Sequence, residues 1–185
     1  MLTTTNTGLL VVDIQGKLAR LVEGSDALIA NTARLMAGAR LMAGARLLGL
    51  PVVWLEQNPD KLGATVPELQ LMQAGDLVLP KHSFGALGEP ALADALARQG
   101  VSHWLVCGIE AHICVYQTVQ GLLDAGSQVS LVVDAVSSRS AANRELAIHK
   151  LAAHGAELTS VEMCLYELLG DCRHPAFRAI LALIK

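Results

Sequence analysis

The amino-acid sequence predicts an α/β fold, a parallel sheet covered by helices on both faces. Three observations predict it. Short segments recur that are apolar at nearly every position instead of alternating with polar residues, the pattern of strands buried on both sides. Segments of helical character lie between them and stop at glycines, which is the βαβ rhythm of a doubly wound sheet. No Pro/Gly/Ser-rich linker divides the 185 residues, a length that suits one domain, so residues 1–185 are expected to form a single unit.

The strands are read at Gly8–Asp13, Pro51–Gln57, Leu77–Lys81, His103–Gly108 and Gln128–Asp134, with a weaker sixth in Ala156–Val161. The first long helix is expected to begin at a Ser25 cap and reach about Leu48, ahead of Gly49. Pro90 suits the first position of a helix that runs to Gln99 and stops at Gly100. Ala111–Ala125 is read as one helix ending at Gly126, with Val115, Val119 and Leu122 on one face. Ser140–His154 ends at Gly155, and a last helix after Pro175 carries Phe177, Ile180, Leu181 and Ile184 as an apolar stripe. One irregularity stands out. Arg34-Leu-Met-Ala-Gly-Ala39 is repeated word for word as Arg40-Leu-Met-Ala-Gly-Ala45. Six residues turn a helix through about 600°, so the copies face about 120° apart and both cannot meet the sheet from one straight helix. A tandem duplication absorbed by a longer or looped-out helix is the expected outcome.

Composition narrows the function. Hydrophobic residues at 52% and charged residues at 17% fill a large core and exclude a disordered chain. A net charge of −3 gives no basic field, so no nucleic-acid partner is expected. No run approaches the ~20 apolar residues of a membrane span, and Met1–Thr7 lacks the features of a secretory signal. A cytoplasmic protein with reduced thiols is therefore expected. The four cysteines, Cys107, Cys114, Cys164 and Cys172, have neither disulfide-framework nor zinc spacing. No glycine-rich nucleotide motif is present, so no cofactor is expected.

In open parallel sheets ligands bind beyond the carboxyl ends of the strands. At those ends stand Asp13, then Glu56-Gln57-Asn58, then Lys81-His82, then Gly108 to Cys114, then Asp134 to Arg139. An acid, an amine and a thiol thus share one rim. Cys114 falls in the first turn after the fourth strand, where unpaired N–H groups and the helix dipole favour an anion. A nearby ammonium would add to this, lowering the thiol pKa from its usual ~8.5. The same N–H groups are suited to hold an oxyanion.

Three segments also resemble the signature segments of the isochorismatase-like hydrolases, in order and in spacing. They are Leu9-Leu-Val-Val-Asp13-Ile-Gln15, Pro80-Lys81-His82-Ser83-Phe84 and Gly108-Ile-Glu-Ala-His-Ile-Cys114-Val-Tyr-Gln-Thr118. The likeness extends over essentially the whole chain and is greatest to a subgroup of small isochorismatase-domain proteins. It implies a three-layer α/β/α fold whose six-stranded parallel sheet has the order 3-2-1-4-5-6. It implies that Cys114 is the nucleophile, Asp13 the base and Lys81 the electropositive third member, with a non-proline cis peptide at Ile109–Glu110 beside an oxyanion hole that includes Cys114. True isochorismatases cleave a vinyl ether without a cysteine, so the thiol points to the amidase-like branch. Nicotinamidases in that branch hold a metal through an Asp-x-His pair. Glu56-Gln57-Asn58-Pro59-Asp60 has no histidine, so no metal is expected.

Gln57, Asn58, Phe84, His112 and Arg139 are candidate substrate contacts, with Glu110, Ser137 and Ser138 beside them; each is also compatible with capping or simple solvation. The expected activity is hydrolysis of a small amide-like substrate through a thioester, by a protein that forms a homo-oligomer. Two alternatives remain open at this stage: a non-catalytic assembly or binding protein of the same fold, and a thiol-based redox sensor, which needs a resolving cysteine within reach of Cys114.

Overall fold

The computed structural model describes residues 1–44 and 49–185, and for residues 40–44 the backbone only. The first strand, β1 (Thr7–Val12), is buried at every position. Its side chains alternate between two cores, with Leu9 and Val11 on one face and Leu10 and Val12 on the other. β2 (Val52–Gln57) and β4 (His103–Gly108) do the same. Val52, Trp54, Leu105 and Cys107 join the first core, while Val53, Leu55, Trp104 and Val106 join the second. That two-sided burial is why the sequence shows continuous apolar runs. With β3 (Leu77–Lys81), β5 (Gln128–Val136) and β6 (Glu157–Thr159), these strands form one parallel sheet in the order β3-β2-β1-β4-β5-β6.

The helices divide between the faces. α1 (Leu18–Leu21) and α2 (Ser25–Gly44) cover the first core, and α8 (Val161–Leu169) and α9 (Phe177–Ile184) pack beside α2. α5 (Pro90–Ala97), α6 (Tyr116–Asp124) and α7 (Ala141–Ala153) cover the second. Pro90 occupies the first turn of α5, where its missing N–H costs nothing. Two short helices, α3 (Pro59–Leu62) and α4 (Pro67–Gln70), each opened by a proline, fill the connection after β2 that the sequence leaves unassigned. Among the described residues no helix is long and apolar enough to cross a membrane.

Three helix details differ from expectation. Ser25 opens α2 but does not accept an N–H bond; its hydroxyl donates to the Ala19 carbonyl at 2.7 Å, tying α2 to α1. The segment read as one helix from Ala111 begins as a π-helical turn, Ala111–Val115. There the N–H groups of Ile113 and Val115 share the Glu110 carbonyl at 3.1 and 3.2 Å, which widens the turn. In the tandem repeat, the first copy is helical and buries Leu35, Met36 and Ala39. The side chains of the second copy lie outside the described residues.

Gly108 ends β4 beside Val12 with φ of 129°. A Cβ there would stand 2.0 Å from the Val12 carbonyl oxygen, a backbone atom with nowhere to go. Gly126 has φ of 84° but open space around it. Gly108→Ala should therefore lower unfolding free energy by about 3 kcal/mol or more, against about 1 kcal/mol for Gly126→Ala. Urea denaturation of the two variants checks this, and similar losses would contradict the close approach.

Candidate active site

The strand order brings three distant positions to one corner. β1 and β4 are neighbours, so Asp13, just past β1, faces the segment that leaves β4 with Cys114. β3 lies two strands away, and Lys81 at its end reaches past β2 to Asp13. Lys81 Nζ donates to Asp13 Oδ2 at 2.7 Å, with the two side chains 0% and 1% exposed. It also donates to Gln57 Oε1 at 2.6 Å and lies 3.1 Å from the Phe84 carbonyl and 3.4 Å from that of Ser83. An ammonium has three protons, so four oxygens account for all of them. Asp13 itself has φ of 55°, a left-handed conformation that Asp tolerates better than most residues.

Cys114 lies on the π-helical turn, 8% exposed, with its thiol 3.9 Å from Gln57 Oε1. The thiol also interacts with the Asp13 carboxyl. Asp13 Oδ1 is buried and has no hydrogen-bond partner, so one carboxylate oxygen is tied to Lys81 and the other is free. Burial lifts the Asp13 carboxyl above its usual range, and the opposing pull of Lys81 does not cancel that. The thiol behaves opposite to the sequence expectation. Burial first, and the Asp13 charge second, push its pKa up to about 12, with Lys81 only partly opposing. The ammonium expected to stabilise a thiolate is paired with a carboxylate, so it offsets only part of the effect of burial.

The remaining candidates frame this corner. The Ile109–Glu110 peptide bond is cis. The Ile109 N–H donates to the Val12 carbonyl at 2.9 Å and that of Ala111 to the Ser137 carbonyl at 2.8 Å, so neither is open to a ligand. Glu110 is not a solvated rim charge. It is buried and receives the Arg139 guanidinium Nε and, at 3.3 Å, the Arg139 N–H. His112 Nδ1 sits 3.0 Å from Ser138 Oγ and 3.4 Å from Glu110 Oε2. Ser137 Oγ donates to the Glu23 carbonyl at 2.6 Å and so anchors the loop. Asn58 is left-handed at φ of 37°, and its N–H donates to the Lys81 carbonyl at 2.8 Å. The Phe84 ring is 55% exposed, and the Arg139 side chain 57%.

Two residues of the site were not singled out by sequence reasoning. Gln15 is fully buried and pairs with the Gln57 backbone in both directions, accepting its N–H at 2.7 Å and donating to its carbonyl at 3.2 Å. Its only sequence signal is an amide two residues after Asp13. Glu89 accepts the N–H groups of His82 and Ser83 at 2.6 and 2.8 Å, which holds its carboxyl below the usual range and pins the loop after Lys81. The helix-opening reading of Glu89-Pro90 gave no hint of that. Among the described residues no three His, Cys, Asp or Glu side chains gather as metal ligands.

A 3-2-1-4-5-6 sheet with a thiol, a carboxylate and an amine at its switch point defines a doubly wound α/β protein with a buried cysteine centre. Residues 7–163 match the Isochorismatase domain, and the chain belongs to the isochorismatase-like hydrolase family. It is 43% identical over 174 residues to isochorismatase domain-containing protein 1 of Danio rerio, a match that takes in 94% of this chain but 59% of that protein. Among solved structures it is similar to MAR1 ribonuclease from Caenorhabditis elegans, with 36% identity, a TM-score of 0.89, and 99% of this chain and 91% of that one covered. It is also similar to YcaC from Pseudomonas aeruginosa with hexane-2,5-diol and covalent acrylamide, with 26% identity, a TM-score of 0.90, and 98% and 90% covered.

The electrostatics of the corner predict the reactivity of the thiol. Because the folded thiol pKa is raised, the thiolate is scarce at neutral pH. Iodoacetamide labelling of Cys114 should rise about tenfold per pH unit through pH 10 without the plateau that a free thiol reaches above ~8.5. Asp13→Asn removes the negative charge and frees Lys81 for the sulfur, so labelling at pH 7 should accelerate by about tenfold or more. A wild-type plateau below pH 8 would overturn this picture.

Proposed function

We propose that the protein is a cysteine-dependent hydrolase of a small amide-like substrate, acting through a thioester on Cys114. The observation that carries the reading is the split Asp13 carboxylate: Oδ2 is held by Lys81, Oδ1 has no hydrogen-bond partner among the described residues, and the carboxyl as a whole interacts with the Cys114 thiol. Raised basicity suits Asp13 to accept the thiol proton as sulfur attacks the carbonyl carbon, so the nucleophile is generated when substrate is in place. The Cys114 N–H is the proposed oxyanion donor; those of Ile109, Ala111, Ile113 and Val115 are already engaged. Protonated Asp13 then returns the proton to the departing amine, and the C–N bond breaks. Water next attacks the thioester with Asp13 again as base, releasing the acid and restoring the thiol.

A redox-sensor role is less favoured. Cys107 and Cys164 belong to the core on the other face of the sheet from Cys114. A ribonuclease activity, suggested by the name of the C. elegans neighbour, is less favoured by a net charge of −3 and by an ammonium already paired. The covalent acrylamide of the YcaC neighbour accords with a reactive group in a protein of this fold.

The test uses p-nitrophenyl acetate and a panel of primary amides, with acid-quenched intact mass as readout. Wild type should hydrolyse members of the panel through an acyl adduct on Cys114, and Cys114→Ala should lose both adduct and turnover. Asp13→Asn should be acylated by the ester but accumulate the adduct, with turnover reduced by about 100-fold or more. Hydrolysis that survives Cys114→Ala would overturn the assignment, and RNA cleavage in place of acyl transfer would favour the other reading.

A further inference from the structure

We infer that Gln57 is a positioning residue that sets the charge around Cys114 through Lys81, and is not a substrate contact. The inference starts from the orientation of its amide. Gln57 Nε2 donates to the His82 carbonyl at 2.8 Å, so the other end of the amide must be oxygen, and that oxygen faces Lys81 Nζ at 2.6 Å. Flipping the amide would set an NH2 against an ammonium and an oxygen against a carbonyl, which fixes the assignment. The same Oε1 lies 3.9 Å from the Cys114 sulfur. Both polar ends are therefore engaged within the chain: the oxygen is taken by Lys81 and faces the thiol, and one of the two Nε2 protons is taken by the His82 carbonyl.

The backbone of Gln57 is equally constrained. It is the last residue of β2, in register with Lys81 at the end of β3. Gln15 clamps its N–H and carbonyl and donates to the Gly63 carbonyl at 2.6 Å, which ties the end of β2 to the turn after α3. A side chain that is locked at both ends and touches the amine and the thiol at once acts on how the ammonium is shared. With Gln57 in place, Lys81 spends one N–H on a neutral oxygen. Without it, that N–H is free to turn toward the sulfur.

Two substitutions follow with opposite signs. Gln57→Leu keeps the volume, removes the acceptor and releases an ammonium proton toward Cys114. Gln57→Glu keeps the shape and sets a second carboxylate beside the sulfur. The readout is the rate of iodoacetamide labelling of Cys114 against pH, which needs no substrate and stands whether or not the hydrolase proposal does. Gln57→Leu should label about tenfold faster than wild type at pH 7, and Gln57→Glu about tenfold slower, each returning to a common rate at high pH. With p-nitrophenyl acetate as probe, KM should stay within twofold of wild type in both variants while kcat changes; this kinetic arm alone rests on the hydrolase reading. Shifts in the same direction, or labelling unchanged while KM moves, would overturn the inference and make Gln57 a structural or substrate-binding residue. Loss of wild-type hydrolysis with the opposite labelling shifts intact would instead retire the hydrolase reading and leave the role of Gln57 standing.

Discussion

The buried pair between Lys81 and Asp13 is the interaction on which the corner depends. Two charges withdrawn from water, with exposures of 0% and 1%, persist only if geometry and further hydrogen bonds offset their desolvation. Here the amine has four oxygen neighbours and the fold is arranged to supply them. β2 contributes Gln57, the loop after β3 contributes two carbonyls, and Glu89 holds that loop by its own N–H groups. Gln15 fixes the end of β2 from the segment that also carries Asp13. Gln57 reaches Lys81 across neighbouring strands, whereas the ion pair links the ends of two strands that are not neighbours in the sheet. Losing one partner would leave an uncompensated buried charge, the situation that costs buried pairs most.

The pair also governs the thiol. An ammonium beside a cysteine ordinarily favours the thiolate, and a helix start ordinarily adds to that. In this site the ammonium is neutralised by the carboxylate, and burial then dominates, so sulfur rests as a thiol. A resting thiol is poorly reactive toward adventitious electrophiles, and it becomes a nucleophile only when its proton has somewhere to go. In the proposed reaction the unpartnered Asp13 oxygen would be that place. Ionisation tied to attack, instead of a standing thiolate, is the physical consequence of sharing one amine between an acid and a thiol.

Much of the fold was legible because parallel strands buried on both faces leave continuous apolar runs, and helices that must turn back into them leave glycines. Gln128 to Asp134 could be read for those reasons, and so could the stop at Gly155. Asp13, Lys81 and Cys114 were legible as candidates because they end such runs, and the structure brings their side chains together. What was not legible depends on distance in three dimensions. The sign of the thiol shift follows first from the depth at which the sulfur is buried and then from the Asp13 charge beside it, and one-dimensional spacing carries neither. Glu110 looks in sequence like a solvated charge, yet it is buried and paired with Arg139 from the loop after β5. Gln57 looks like a substrate contact because it ends a strand at the right rim, and only its partners reveal that both amide ends are in use. Ser25 has the right identity for a cap, but its hydroxyl found a carbonyl in the preceding turn.

That distribution of partners constrains how the proposed substrate is held. Within the corner, the protons of Lys81 are accounted for, the Gln57 amide is engaged at both ends, and the N–H groups of Ile109 and Ala111 are paired. An interior with so few free donors suits a small reacting group whose developing oxyanion meets the backbone of the Cys114 turn. In the proposed function, recognition of the rest of the molecule would fall to the rim. There Phe84 offers an exposed ring, while Arg139 offers a guanidinium that is 57% exposed yet anchored at Nε by Glu110. Anchoring at Nε means that binding through the rest of the guanidinium would cost little further side-chain freedom, which is what makes a charged side chain useful for binding. The division is thus physical: the proposed reaction would run in the buried corner with its unpartnered Asp13 oxygen, and contact with the rest of the substrate would be left to the exposed rim.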